Sequence, residues 1–287
     1  MPKEQIIVQL NPDVPPTGSD LGIVNAARKS FGRRSDWEFE SHGCFGKTVQ
    51  ILKDKDKRLL EFLARGMTAD DFEGIVNSTS EVGQEIRDGG WEDCAVFEMK
   101  ELLWEWRNTP THDTPFNHGF FSFEVKAPIF VARHLVKHEY LIMSEYSRRY
   151  ITEDVEFYQP DVWRGRSEDK KQGSFGEVTV KDFEKYWVDY GGGLYIEDSS
   201  DVNRVALDYY EHLLSEGVAP EQARMVLPQS LMTSWTWSGT LGAFANMCKL
   251  RLSKDTQAET RYVAEKVYEE LKKQFPVAAP LLVEGVY

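Results

Sequence analysis

Thr111-His-Asp-Thr-Pro-Phe-Asn-His118 leads into Phe121-Ser-Phe-Glu-Val-Lys-Ala-Pro-Ile-Phe-Val-Ala-Arg133, and the chain runs on through His134-Leu-Val-Lys-His-Glu-Tyr-Leu-Ile-Met-Ser-Glu-Tyr-Ser-Arg-Arg-Tyr150. Phe121, Phe123 and Val125 alternate with Ser122, Glu124 and Lys126. That period of two predicts a strand with one face in a core. Pro128 suits the first position of a helix, because its ring presets φ. Ile129 to Glu139 carries apolar residues on most faces, which predicts a buried helix.

Upstream, Ile6 to Leu10 reads as a short strand, and Asn11 to Asp20, with three prolines, as a loop. Leu21 to Phe31 reads as a helix capped by Ser19 or Asp20. From Gly32 to about Trp91 the pattern is mixed. Within it Asp54 to Arg65 reads as one helix and Thr68 to Arg87 as another, with Thr68 as cap. Downstream, Glu156-Phe157-Tyr158 suggests a short return strand. Arg164 to Gly176 is polar and reads as an exposed loop, and Gly191-Gly192-Gly193 as a tight turn. The C-terminal third reads as helical. Val202 to Glu216 has near-helical spacing, and Pro220-Glu221-Gln222 opens a helix with Pro early and an acid in the first turn. Thr256 to Phe275 stacks Val263, Val267 and Leu271 at i, i+4.

The 287 residues suffice for a sizeable buried core. Hydrophobic residues at 41% and charged residues at 28% are ordinary for a globular chain. The net charge of -13 argues against a broad face for nucleic-acid polymer, while allowing a nucleotide in a locally basic pocket. Three cysteines, Cys44, Cys94 and Cys248, make neither a CxxC nor a disulfide framework. With no apolar run long enough for a membrane span and no signal-peptide core in MPKEQIIVQL, the expectation is a cytoplasmic protein off the membrane.

The segment from Thr111 to Tyr150 resembles the flavin-dependent thymidylate synthases. Their core reads H-x-T-P-F-x-H, a strand, K-A-P-I-F-V-x-R, and the signature R-H-R-x-x-S-x-N-E-x-S-x-R-Y. Ala223-Arg224-Met-Val-Leu-Pro228 is similar to the family's A-R-x-x-L-P. Asn246 to Glu259, with Leu250-Arg251 and Gln257-Ala-Glu259, is similar to N-x-x-x-L-R…A-Q-x-E. Ala26-Ala27-Arg28-Lys29-Ser30-Phe31 is similar to A-A-R-x-S-F. The resemblance implies an α+β fold, with a central antiparallel sheet packed with helices. It implies one domain over residues 1–287, in which about 33–105 and 161–200 read as insertions.

It also implies a chemistry: one-carbon transfer from methylenetetrahydrofolate to C5 of a pyrimidine deoxynucleoside monophosphate, with FAD as cofactor and NADPH as a candidate reductant. The sites would form between subunits of a homotetramer, with no metal. A monophosphate dianion calls for several donors, arginine forks among them. The resemblance nominates Arg148, Arg149, Arg224 and Arg251, with the Ser147 hydroxyl and with Glu145 as acceptor for a sugar hydroxyl or base N–H. Arg149 matches the arginine that faces the base, where it would stabilise developing charge. Lys137, His138 and Ser30 would meet the FAD phosphates, and Asn246, Asn117 and Thr114 its ring or ribose edges. No cysteine lies in the signature, consistent with a route that needs no thiolate on the base.

The departures cluster at the signature's start. R-H-R becomes Lys137-His138-Glu139, the next serine becomes Ile142, and the asparagine becomes Ser144. A glutamine seen in some members becomes His134, and a histidine associated with FAD becomes Asp255. Lys137 keeps a charge but loses the fork. Glu139 lowers the local charge by about two units. His134 bears on the choice of base, since cytosine offers a donor where uracil offers an acceptor. The expected activity is therefore a hydroxymethylating variant acting on dCMP or dUMP, with Glu139 as general base for the water that quenches the methylene intermediate. The alternatives are a thymidylate synthase converting dUMP to dTMP, and a nucleotide-binding homologue without catalysis.

Plainer readings stand beside these. His134 and His138, at i, i+4 on the expected helix, suggest a metal pair, but no H-E-x-x-H accompanies them. His112 and His118 fit structural histidines, and Phe120, Phe121 and Phe123 fit core. Trp235 and Trp237 fit core or subunit contact as well as ligand stacking. Arg148 and Arg149 alone would be a surface basic pair.

Overall fold

A computed structural model describes residues 5–42, 47–65, 112–166, 174–180, 183–186, 193–196 and 198–284. The elements, in order, are β1 (Ile7–Leu10), α1 (Asp20–Lys29), β2 (Glu38–His42), β3 (Lys47–Ile51), α2 (Asp54–Arg65), β4 (Phe120–Pro128), α3 (Ile129–Leu135) and β5 (Leu141–Glu145). They continue with β6 (Trp163–Arg166), β7 (Ser174–Val178), β8 (Phe183–Tyr186), β9 (Gly193–Ile196), α4 (Ser199–Ser215), α5 (Pro220–Ala223), β10 (Met232–Thr240), α6 (Leu241–Arg251), α7 (Ala258–Gln274) and α8 (Ala278–Val283). Contacts gather into two compact units. One comprises Met1–Asn11, Phe123–Ser238 and Arg251–Lys266, and the other Pro12–Ser122, Gly239–Leu250 and Val267–Tyr287.

The first unit is built on a sheet of order β1-β4-β10-β5. β1 runs antiparallel to β4, with Ile7 opposite Lys126 and Leu10 opposite Phe123. Period two sorts the side chains. Phe123, Val125, Trp235 and Trp237 are buried on one face. Glu124, Lys126, Ser234 and Thr236 are half-buried on the other. There Glu124 Oε1 accepts from Asn11 Nδ2 at 2.9 Å and from the Thr236 hydroxyl at 2.7 Å, tying β1 and β10 to β4. Truncating either tryptophan to alanine would cost about 3–5 kcal/mol.

In the second unit α1 packs on α2, and α2 on α8. Ser19 caps α1 by accepting from the Gly22 N–H at 3.1 Å. Buried Asp20 accepts from the Val277 and Ala278 N–H groups at 3.0 and 2.9 Å, satisfying the start of α8. Asp56, also buried, takes the Arg28 guanidinium and the Ser35 hydroxyl, each at 2.5 Å. Phe121 lies between the rings of Phe244 and Phe275, at 6.4 and 5.7 Å between centroids.

The α+β fold with its antiparallel sheet is as expected, and so are β1, α1, α2 and α4. Val263, Val267 and Leu271 are fully buried along α7. Four expectations are corrected. The helix expected to reach Glu139 stops at Leu135, and Tyr140 adopts a positive φ of 62°, which no helix tolerates. Pro128 stands before that helix, with extended ψ of 153°, not inside it. Arg164 to Gly176 is not all loop, because β6 and β7 pair antiparallel there. The C-terminal third is not all helix, because it contains the nine-residue strand β10. Glu156 to Tyr158 contributes one bridge, between Phe157 and Leu231. The helix expected over Thr68 to Arg87, Thr111, Cys44, Cys94, Gly191 and Gly192 lie outside the described residues. Among the described residues, no helix is long and apolar enough to cross a membrane.

Candidate functional site

The end of β5 builds the first cluster, all within the first unit. Glu145 closes the strand, and its Oε1 accepts from the Thr233 hydroxyl on β10 at 2.9 Å. The Tyr146 N–H donates to the Ser234 carbonyl at 2.8 Å and keeps the chain beside β10. Ser147 then turns it. Its carbonyl accepts from the Tyr150 N–H at 3.1 Å, and its hydroxyl accepts from the Arg149 N–H at 3.4 Å. The two arginines that follow go opposite ways. Arg148 turns inward, is buried, and donates to the carbonyls of Glu153 and, at 2.7 Å, Asp154, with its guanidinium 5.1 Å from the Tyr146 ring. It holds the turn in shape. Arg149 turns outward, half exposed, 5.3 Å from the Tyr150 ring centroid.

Glu221, in the first turn of α5, links Arg149 to the downstream motif. Its carboxylate lies 3.8 Å from Arg149 Nε, and its carbonyl accepts from Arg224 Nε at 3.3 Å. Arg149 and Arg224 are thus gathered at one residue, both exposed. Solvent screens a pair this open, and its net stabilisation is small. Both guanidinium groups therefore remain accessible to solvent.

A second cluster in the same unit surrounds Arg251, the last residue of α6. Its Nε donates to His138 Nε2 at 2.9 Å and its Nη2 to the His134 carbonyl at 3.1 Å. The His134 ring meets the hydroxyl of buried Thr260 through Nδ1 at 3.1 Å. Burial first, and the Arg251 charge second, push both histidines below the ordinary value of 6.5, His138 to about 4. Lys137 and Glu139 flank His138 and are exposed. The expected i, i+4 stacking of the histidines on one helix does not occur, because α3 ends between them. Their link runs through Arg251.

The remaining nominated residues lie in the second unit. Ser30 closes α1, its hydroxyl donating to the Ala27 carbonyl at 3.0 Å. Thr114 and Asn117 lie on a 3-10 turn, both exposed. Asn117 Oδ1 accepts from the Thr240 hydroxyl at 2.7 Å. The carboxamide also sits over Gly242, where an added Cβ would lie 2.6 Å from Asn117 Oδ1. Asn246 is exposed one helical turn beyond Gly242 on α6.

Thr233, Thr240, Gly242 and Thr260 carry no motif that marks them in the sequence, and Glu221 is marked there only as a helix-start acid. The alternation of Ser234, Thr236 and Ser238 with Trp235 and Trp237 carried the signal for β10, and with it for Thr233 and Thr240.

Comparison with known proteins gives concordant results. The family model described as "Thymidylate synthase complementing protein" matches residues 16–277. A flavin-dependent thymidylate synthase of Thermus thermophilus is 35% identical over 167 residues, 58% of this chain and 57% of that protein. The chain thus spans little more than half of that relative's length. A flavin-dependent thymidylate synthase of Wolbachia pipientis is 33% identical over 211 residues, 73% of this chain and 71% of that protein. Among solved structures, the UMP/dUMP methylase PolB from Streptomyces cacaoi bound with 5-Br dUMP shares the fold, with a TM-score of 0.57 at 22% identity, covering 98% of this chain and 95% of that one.

Proposed function

This chain belongs to the flavin-dependent thymidylate synthase family, and from that premise we propose that it transfers a one-carbon unit from methylenetetrahydrofolate to C5 of a pyrimidine deoxynucleoside monophosphate. The observation that carries the reading is the gathering of Arg149 and Arg224 at Glu221, together with the orientation of Glu145, at the end of the strand that leads to Arg149, by Thr233. Two exposed guanidinium groups suit a phosphate dianion and an electron-rich base. A fixed carboxylate suits a sugar hydroxyl or a base N–H.

In this reading Arg224 holds the phosphate. Arg149 faces the base and stabilises the negative charge that builds on it as C5 becomes nucleophilic. Ser147 and Arg148 hold the turn that aims Arg149. Of the residues nominated for FAD, those in the second unit suit such a group: Asn117 has its carbonyl engaged by Thr240, Thr114 and Asn246 are exposed, and Ser30 is exposed with its hydroxyl turned to the Ala27 carbonyl. Reduced FAD supplies hydride when it is bound. The one-domain organisation with insertions near 33–105 and 161–200, the homotetramer with shared sites, and NADPH as reductant belong to this proposal as the family's pattern.

Two products follow from different observations. Glu139 is exposed on the turn beside His138, and a carboxylate acting there as general base on water would give a hydroxymethyl product on dCMP or dUMP. The relatives are named thymidylate synthases, which favours methyl on dUMP. Incubation with methylenetetrahydrofolate, reduced FAD and dUMP, UMP or dCMP, followed by product mass, separates them. Methyl on dUMP would sink the hydroxymethyl reading, and hydroxymethyl on dCMP would sink the methyl reading. No modified nucleotide from any acceptor would leave only a binding homologue.

A further inference from the structure

We propose that Arg251 is a positioning residue that fixes His138 as a neutral imidazole protonated on Nδ1, so that the turn after α3 presents an uncharged hydrogen-bond donor to its ligand.

A guanidinium only donates. Arg251 Nε donates to His138 Nε2 at 2.9 Å, so Nε2 must keep its lone pair. The ring proton then sits on Nδ1. A second proton would set two N–H groups against each other and place a cation beside a cation. Arg251 is itself anchored, because its Nη2 donates at 3.1 Å to the His134 carbonyl, one of the carbonyls left over at the end of α3. The His134 ring is held in turn by Thr260. Among the described residues the charged group that faces His138 is Arg251 from α6, with Lys137 and Glu139 as chain neighbours. Burial and the Arg251 charge act in the same direction, pushing His138 down to about 4.

The ligand chemistry follows. A phosphate dianion favours an imidazolium, whereas a carbonyl oxygen or ring nitrogen of a fused heteroaromatic is served by a neutral N–H. On the reading that this turn belongs to the flavin half of the site, on which this step rests, His138 addresses the cofactor's ring and not its phosphates.

The test is nitrogen-detected histidine NMR on the full chain without ligand. The chain has six histidines, and His138→Gln identifies the signal by its loss. The expected result is an Nδ1-protonated tautomer that stays neutral from about pH 8 to about pH 5. In Arg251→Gln burial still holds the ring below its ordinary value, but with the Arg251 charge and hydrogen bond gone the signal titrates at higher pH than in the wild type and the Nδ1 tautomer no longer dominates. An Nε2-protonated ring, or wild-type titration near 6.5, overturns the proposal. The wild-type spectrum decides even if Arg251→Gln fails to fold. FAD uptake, followed by its absorbance, is measured on the same samples. A locked ring without FAD uptake supports the lock and refutes the flavin reading. Uptake with an unlocked ring refutes the lock and leaves the flavin reading standing.

Discussion

Glu145 Oε1 accepts the Thr233 hydroxyl at 2.9 Å, across from β10 to the end of β5. The bond orients a carboxylate at the point where the strand gives way to the Ser147 turn. Thr233→Val removes the donor and keeps the shape. One lost hydrogen bond is worth about 0.5–1.5 kcal/mol, so kcat/KM for the nucleotide should fall roughly 2- to 13-fold with little change in Tm. Unchanged kinetics would mean that Thr233 does not orient Glu145 for function.

Arg149→Ala should lower kcat roughly 100- to 1,000-fold, the effect of losing a preorganised charge donor at the reacting base. Steady-state kinetics at saturating nucleotide reads this directly. A change confined to KM would move Arg149 from the base to the phosphate.

Arg224→Ala should weaken nucleotide binding by about 1.5–3 kcal/mol, the loss of a charge-assisted hydrogen bond. Calorimetry would then show Kd raised roughly 10- to 150-fold. Arg148→Ala should behave differently, because its guanidinium is engaged with the Glu153 and Asp154 carbonyls. It should lower Tm before it alters Kd.

Gly242→Ala places a Cβ 2.6 Å from Asn117 Oδ1, so the carboxamide must leave its seat beside Thr240. FAD affinity should fall by about 1 kcal/mol, roughly fivefold. Fluorescence quenching of FAD on titration measures it. Unaltered affinity would remove Asn117 from the flavin contacts.

How much of this was legible in the residues alone varies by element. Period two in Phe121 to Val125 located β4, and helical spacing located α1, α2, α4 and α7. β5 was hidden, because the helix expected over Ile129 to Glu139 runs up to its start, and nothing in that pattern shows the backbone reversal at Tyr140. β10 was legible in its Trp and Ser/Thr alternation but was masked by the helices on either side. The arginines were nominated by motif, yet sequence could not separate inward Arg148 from outward Arg149. Adjacent residues in a turn diverge according to which carbonyls the backbone presents, and here Glu153 and Asp154 present theirs.

Acid should destabilise the fold through His138. Its pKa is lowered from 6.5 to about 4 in the folded chain, so between those values the unfolded chain binds the extra proton. Stability then rises with pH across that window and is lost as pH falls through it. Urea unfolding at several pH values should show this slope in the wild type and a shallower one in His138→Gln. Equal slopes would contradict it.

The central claim is chemistry at C5. The most direct measurement is release of tritium from [5-³H]dUMP and [5-³H]dCMP in the presence of methylenetetrahydrofolate and reduced FAD. Release from at least one nucleotide, dependent on the folate and lost in Arg149→Ala, is the predicted result, because both methyl and hydroxymethyl products require that C–H bond to break. Retention of tritium in both nucleotides by a chain that binds them would contradict the account.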